Sequence, residues 1–271
     1  MFKNQYNTNP IVFSPDGQLL QLNFANKASE RGNFALVMKS KNHIVSIGTA
    51  KLEKTGALKD NRILANGTNC LIITTGISKD GRILNELIKN KKYENEISSN
   101  RFCQIPDIAS FLSNIIARNT FYSQTRLFGI KSILIGYDST GPLIFDFSHD
   151  GNYQRSNYSA QGIGSNKIIG LIEQFSDKFE RLSLDELIVR SLTIYKQSLA
   201  KSTKNIINEK KVFFSILGKN LELTVFREKI IKFYLQNFYK KIENATNNIN
   251  TSIKMNFKST IDWNDYNSEP W

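Results

Sequence analysis

The chain has 271 residues, 40% hydrophobic and 22% charged; that is ordinary globular usage at a length that buries a full core without staples, and it excludes a wholly disordered chain. Its only cysteines, Cys70 and Cys103, are not in a CxxC spacing, which excludes a disulfide framework or a zinc ribbon and suits a reducing compartment. Lys and Arg number 36 against 24 Asp and Glu, a net charge of +12, but the basic runs at 89–92, 209–211 and 240–241 are short and separate, so the excess reads as a solvated face and not as a nucleic-acid site.

Residues 1–17 are largely polar, lack the apolar stretch of a signal peptide, and close on Ser14-Pro15-Asp16-Gly17, where Pro15 fixes φ and Asp16-Gly17 favours a turn. They read as a punctuated arm. A helix follows over 19–31, with Leu19, Leu20, Leu22, Phe24, Ala25 and Ala28, closed by Gly32. Its apolar residues spread too widely for one narrow stripe and predict more than one contact surface. Strand-like runs come at 34–39 and 43–49, joined by the polar turn Ser40-Lys41-Asn42, and again near 62–65 and 69–75. Lys79-Asp80-Gly81 opens a helix carrying Ile83, Leu84, Leu87 and Ile88. A second begins after Pro106, with Ile108, Phe111, Leu112, Ile115 and Ile116 at helical spacing. Strands return at 130–137, 143–147, 153–155 and 158–163, with turn signals at 138–141 and 149–152. Helices are predicted at 165–175 and 183–199, the latter with Ser183 as N-cap and Glu186 at the capping-box position. A hairpin of 212–217 and 221–226 turns around Gly218-Lys219-Asn220.

Strands in antiparallel hairpins and helices in pairs are not the alternation of a parallel sheet. They predict an α+β four-layer α-β-β-α sandwich, two stacked antiparallel sheets each covered by a helix pair, as one domain over 18–228. Residues 229–243 read as a basic amphipathic helix with Ile230, Phe233, Tyr234, Phe238 and Tyr239, and 244–271 as an Asn/Thr/Lys-rich mobile tail. No apolar run reaches the roughly 18 residues of a membrane span. The two histidines stand in no metal-binding spacing: His43 is expected as a satisfied strand residue and His149 as an exposed turn residue. Gly162-Ile163-Gly164 is too short for a phosphate loop. Neither a metal nor a cofactor is expected.

Phe13-Ser14-Pro15-Asp16-Gly17 followed by Leu20-Gln21-Leu22-Asn23-Phe24-Ala25 resembles the signature that opens proteasome alpha subunits. The similarity runs on, collinear, through Gly76-Ile77-Ser78-Lys79-Asp80-Gly81-Arg82, Leu134-Ile135-Gly136-Tyr137-Asp138, Gly151-Asn152-Tyr153, Ser183-Leu184-Asp185-Glu186-Leu187 and Gly218-Lys219-Asn220-Leu221-Glu222. Within the family, Met1-Phe2-Lys3-Asn4-Gln5-Tyr6 is most similar to the eukaryotic alpha type-1 branch, the sixth position of the alpha ring. The family fold is the N-terminal-nucleophile hydrolase sandwich, which agrees with the element order. The resemblance implies a 20S core particle in the cytoplasm and nucleus, serving ATP- and ubiquitin-dependent protein degradation. It also implies a heteroheptameric ring with six other alpha subunits, stacked on beta subunits and engaged by activators or regulatory ATPases, with neither nucleic acid nor membrane as a partner.

The resemblance further implies an assembly role without catalysis. The chemistry of this fold needs a hydroxyl or thiol on the first residue of the mature chain, where the α-amine activates it. The matching position is about Asn33, and the supporting carboxylate would fall near Gly48-Thr49-Ala50, where none exists; only Arg62 matches the basic partner. Two alternatives remain open: an active peptidase of the same fold, and a basic nucleic-acid-binding protein. By resemblance, the gate cluster is Tyr6, Asn7, Pro15 and Phe24, with Asn7 standing for the family's Asp and Phe24 for its helix Tyr. The activator-tail pocket maps to Arg62, Gly17, Leu19 and Gly32, with Arg62 in place of Lys and Asn23 in place of a nearby Glu. The ring interface maps to Leu20, Leu22, Phe24 and Ala28.

Overall fold

A computed structural model of the chain describes residues 9, 11–49, 63–99, 103–122, 125–174, 176–199, 212–219, 221–226, 234 and 236. Their elements run α1 (Leu20–Glu30), β1 (Ala35–Lys39), β2 (His43–Thr49), β3 (Ile63–Ala65), β4 (Cys70–Gly76), α2 (Ser78–Ser99), α3 (Ile105–Phe121), β5 (Ile130–Asp138), β6 (Gly141–Phe147), β7 (Tyr153–Arg155), β8 (Tyr158–Gln161), α4 (Ser165–Glu173), α5 (Leu184–Leu199), β9 (Val212–Gly218) and β10 (Leu221–Phe226), with a 3-10 helix at Ser176–Arg181. The strands form two five-stranded antiparallel sheets, ordered β10-β9-β2-β1-β8 and β3-β4-β5-β6-β7. Helices α4 and α5 lie on the first sheet, and α2 and α3 on the second. This is the expected α-β-β-α sandwich.

Strand periodicity distributes the core into three layers. Successive side chains alternate between faces, and here both faces are covered. Leu36, Met38, Val45, Ile47, Phe214 and Ile216 face α4 and α5 with Ile168, Ile172, Leu187 and Ile188. Their neighbours Ala35, Val37, Ile44, Phe213 and Leu217 meet Leu71, Ile73, Ile133, Ile135 and Ile144 between the sheets. Cys70, Ile72, Leu134, Leu143 and Phe145 face α2 and α3 with Leu84, Ile88, Ile108 and Leu112. Burial on two faces explains why these strands read as near-continuous apolar runs.

Local signals place most ends. Pro106 sits in the first turn of α3, where its missing N–H is not needed. Ser183 and Glu186 form the predicted capping box: the Ser183 N–H donates to Glu186 Oε2 at 2.9 Å and the Glu186 N–H to Ser183 Oγ at 3.4 Å. One strand ends earlier than expected. β8 stops at Gln161, not at 163, because Gly162 turns into the left-handed region at φ +86°. Strands 153–155 and 158–161 are not hairpin partners: β7 pairs with β6 in one sheet, and β8 pairs with β1 in the other. The chain changes sheet between them, with the Ser156 N–H still bonded to the Ile144 carbonyl at 3.0 Å and the Asn157 carbonyl already accepting from Lys39 N–H at 3.0 Å.

Of the predicted helix at 229–243, Tyr234 is described; it stacks on Phe214 at a ring separation of 6.2 Å. The tail at 244–271 lies outside the described residues. Among the described residues no helix is long and apolar enough to cross a membrane.

Candidate functional site

The candidate surface is built on α1 and its entry turn. Ser14, Pro15, Asp16 and Gly17 close a tight turn: the Gly17 N–H donates to the Ser14 carbonyl at 2.8 Å, and the Gln18 N–H to Ser14 Oγ at 3.1 Å. Pro at the second position and Gly at the fourth suit this geometry, and Gly17 takes φ +73°. Leu19 caps α1 through its backbone alone, without a side-chain bond. Asn23, one turn in, donates its side-chain amide to Gln18 Oε1 at 3.0 Å.

Helix α1 buries two small residues and leaves its largest, Phe24, outside. Ala25 and Ser29, four apart on one face, are buried, whereas Leu20, Leu22 and Ala28 are half-buried and Phe24 is 47% exposed. Ile11, Val12 and Phe13, which precede the turn, are exposed as well. The wide apolar spread thus resolves into a thin inward face and a separate, partly exposed stripe that carries Leu20 and Phe24.

A buried histidine anchors the inward face. His149, expected exposed in its turn, is 3% exposed. Its Nδ1 lies 3.1 Å from the Phe128 carbonyl and its Nε2 2.9 Å from Ser29 Oγ. A carbonyl only accepts, so Nδ1 carries the proton; in the neutral ring Nε2 is then an acceptor, and the single Ser29 hydroxyl proton is shared between it and the Asn26 carbonyl at 2.8 Å. Burial pushes His149 down to about 4, which keeps the ring neutral. Thr120 Oγ1 donates to the His149 carbonyl at 3.1 Å and fixes the backbone there.

The 126–129 segment behind this histidine is itself clamped. Asp80, fully buried in the first turn of α2, accepts from both Arg126 guanidinium N–H groups and from the Gly129 N–H at 2.9 Å. Burial opposes its ionisation, but the Arg126 and Gly129 hydrogen bonds outweigh that and hold the carboxyl below its usual range. A continuous chain of bonds therefore links α1 through Ser29, His149, Phe128 and Gly129 to Asp80 of α2. Sequence spacing carries no signal for it, because its members converge from four separate segments.

The end of α1 is held between the two sheets by backbone contact. A Cβ on Gly32 would lie 2.3 Å from the Gly76 nitrogen, at the end of β4, and one on Gly162, after β8, would lie 2.2 Å from the Asn33 carbonyl oxygen. The Ile163 N–H donates to the Gly32 carbonyl at 3.2 Å. Asn33 carries an amide, and the Thr49 hydroxyl nearby accepts from the Phe34 N–H at 3.0 Å.

Of the residues expected to form sites, Tyr6, Asn7 and Arg62 lie outside the described residues. Pro15 and Phe24 are both exposed, at the turn and on α1. Gly17 and Leu19 stand at the open start of α1 and Gly32 is buried beyond its end, so the two groups are separated by an 11-residue helix of about 16 Å. Leu20, Phe24 and Ala28, spaced four apart, form one stripe along α1, whereas Leu22, three residues before Ala25, lies on the side of the buried Ala25 and Ser29. Among the described residues, no cluster of three His, Cys, Asp or Glu side chains is placed to hold a metal.

Comparison with known proteins agrees with this architecture. The family described as "Proteasome subunit" matches residues 29–210. A probable proteasome subunit alpha type-6 of Schizosaccharomyces pombe is 25% identical over 235 residues, covering 87% of this chain and 86% of that protein. Proteasome subunit alpha type-6 of Saccharomyces cerevisiae is 23% identical over 237 residues, covering 87% and 100%. Proteasome subunit alpha type-1 of Trypanosoma brucei rhodesiense is 24% identical over 246 residues, covering 90% and 91%. With the two-sheet sandwich, the leading helix and these relatives in agreement, the chain belongs to the proteasome subunit family, in its alpha type.

Proposed function

We propose that this chain is a non-catalytic alpha subunit of the 20S core particle, acting in protein degradation through assembly, gating and activator docking. The observation that carries the reading is the inverted burial of α1. A helix whose Phe24 stands 47% exposed and whose Leu20 is only half-buried, while Ala25 and Ser29 pack inside, has an apolar stripe left for a neighbouring chain. Its rigid seat between Gly76 and Gly162, and its tie to His149, hold that face at a fixed angle to the sandwich, as a ring contact requires. The absence of a nucleophile follows from residue identity: Asn33 offers no hydroxyl or thiol, and the chain continues from it into Gly32 and α1, so no α-amine stands beside it.

The finer assignments extend this reading. The opening Met1–Tyr6 sequence supports the alpha type-1 branch at the sixth ring position, and relatives named alpha type-1 and alpha type-6 both match over most of the chain. The arm ending at the Ser14–Gly17 turn serves as the gate segment. Tyr6 and Pro15 contribute to the open cluster by packing, since Asn7 and Phe24 lack the Asp carboxylate and Tyr hydroxyl of the family pattern. Arg62 receives an activator's terminal carboxylate, with Gly17 and Leu19 at the start of α1 and Gly32 beyond its end lining different parts of the tail's path; a guanidinium binds the carboxylate through a planar fork where Lys offers a point charge. The partners are the six other alpha subunits, the beta ring, and activators or regulatory ATPases, in cytoplasm and nucleus. Native size-exclusion chromatography with mass spectrometry of co-migrating chains tests the whole: the chain elutes with alpha and beta partners. Elution as a lone chain that cleaves peptides unaided refutes it.

A further inference from the structure

The 66–69 turn between β3 and β4 faces α2 across a cavity of about 440 Å³, whose far wall carries Lys89, Lys92, Tyr93 and Glu96. That is the size of a small-molecule site. Lys92 is 9% exposed, and its ammonium donates to the Asn66 carbonyl at 2.6 Å and to Asn69 Oδ1 at 3.0 Å. Gly67 bends the turn around it at φ +78°; a Cβ there would stand 3.2 Å from Lys92 Nζ. An ammonium has three donors, so one has no partner among the described residues, nor does any carboxylate there lie within ion-pair distance of it. Buried charges are normally paired; here the counter-charge is missing from the chain's own described residues.

A second group lines the same cavity. Asn66 is 2% exposed, and neither its Oδ1 nor its Nδ2 has a partner among the described residues. Both amide atoms are buried and reach the cavity only when the side chain turns; that turn breaks no hydrogen bond with the described residues and would bring the N–H₂ to the wall that holds the ammonium. Two adjacent donors, one charged, match the two oxygens of a carboxylate. The charge balance selects within the oxyanions: Lys89 and Lys92 against Glu96 leave one net positive charge. One carboxylate neutralises it, whereas a phosphate dianion overshoots and meets Glu96.

We propose that the cavity between the 66–69 turn and α2 is a carboxylate-binding site, with Lys92 as the charged donor, Asn66 as the orienting donor and Glu96 excluding dianions. The carboxylate belongs either to a free small acid or to an acidic side chain of a partner chain. The test is an acetate titration of the ¹⁵N-labelled full chain against chloride at constant ionic strength, following the Asn66 side-chain amide. A saturable shift is expected, at least about tenfold weaker in Lys92→Met and about tenfold stronger for acetate than for phosphate. N-acetyl-aspartate N-methylamide separates the sources: binding alongside acetate assigns the site to a partner's side chain, and binding of acetate alone to a free acid. No saturable shift, or equal shifts in wild type and Lys92→Met, overturns the site. Where Lys92→Met does not fold, Glu96→Gln decides: the preference for acetate over phosphate must fall, and an unchanged preference overturns the proposal.

Discussion

Acid should loosen α1 through His149 before it unfolds the sandwich by other routes. In the folded chain His149 is pushed down to about 4 by burial, against an ordinary value of about 6.5 once unfolded. A proton therefore binds the unfolded chain more readily throughout that interval. Stability is complete above about 6.5, falls as the pH drops, and stops falling from this source near 4. The displacement of about 2.5 pH units corresponds to a loss of about 2 kcal/mol at pH 5 and about 3 kcal/mol by pH 4. Asp146 works in the opposite direction: burial raises its carboxyl despite hydrogen bonds from Ser159 and Gln161, so its contribution to stability grows on acidification. The measurement that isolates His149 is a pair of urea-unfolding series, wild type and His149→Gln, across pH 7.5 to 4, because Asp146 is common to both. Hydrogen exchange of α1 amides should accelerate first in the wild type, since a charged ring is costly in the buried site against α1. Parallel pH profiles for the two proteins, or an imidazole that titrates near 6.5 in the folded chain, would refute the reasoning.

Four further outcomes are expected. Phe24→Asp, at an exposed position, should leave the isolated chain folded but block its entry into the ring, as should Leu20→Asp, because a charge buried without a partner costs roughly 3–5 kcal/mol; normal incorporation of both on native gels counts against the ring face. Gly32→Ala, whose Cβ would lie 2.3 Å from the Gly76 nitrogen, should destabilise by about 1–3 kcal/mol through overpacking, whereas Gly170→Ala, with nothing within 4 Å of its Cβ, should leave the melting temperature unchanged or raise it slightly. Asp80→Asn should lower stability by about 1.5–3 kcal/mol, the worth of a hydrogen bond to a charged group, with exchange at the Gly129 amide accelerating; full protection there would show that the clamp is dispensable. Restoring the family pattern with Asn7→Asp and Phe24→Tyr together should reduce the latency of the assembled particle, and an unchanged basal peptidase rate would mean that these two substitutions do not act on the gate.

The bond chain from Ser29 to Asp80 gives the assembly reading its physical content. An apolar helix face serves a ring only if its orientation is set before the neighbour arrives, since each freedom lost on binding weakens the contact. Ser29, His149, the 126–129 segment and Asp80 supply that order from within the chain, and the glycine contacts at Gly32 and Gly162 remove the remaining space. Loosening at His149 or Asp80 should therefore reach the ring without touching any interface residue.

What the amino-acid order determines alone is everything set by neighbours along the chain. The kind and succession of helices and strands, the capping box at Ser183, the turn at Ser14–Gly17 and the pairing of β9 with β10 all rest on periodicity, capping and turn chemistry within a few residues, and they were legible. The inverted burial of α1 was half legible: its apolar spread forecast two surfaces but not that the small residues would face inward. Contacts between distant segments are decided only by the tertiary structure. β8 leaves β7 for β1, and His149 is drawn inward from a turn whose Asp150-Gly151 signal argues for solvent. Likewise Asp80 meets Arg126, and Lys92 curls beneath the 66–69 turn. In each case the partner is supplied by chain closure between residues far apart in sequence, and no local pattern encodes the energy of a bond whose other half lies dozens of residues away.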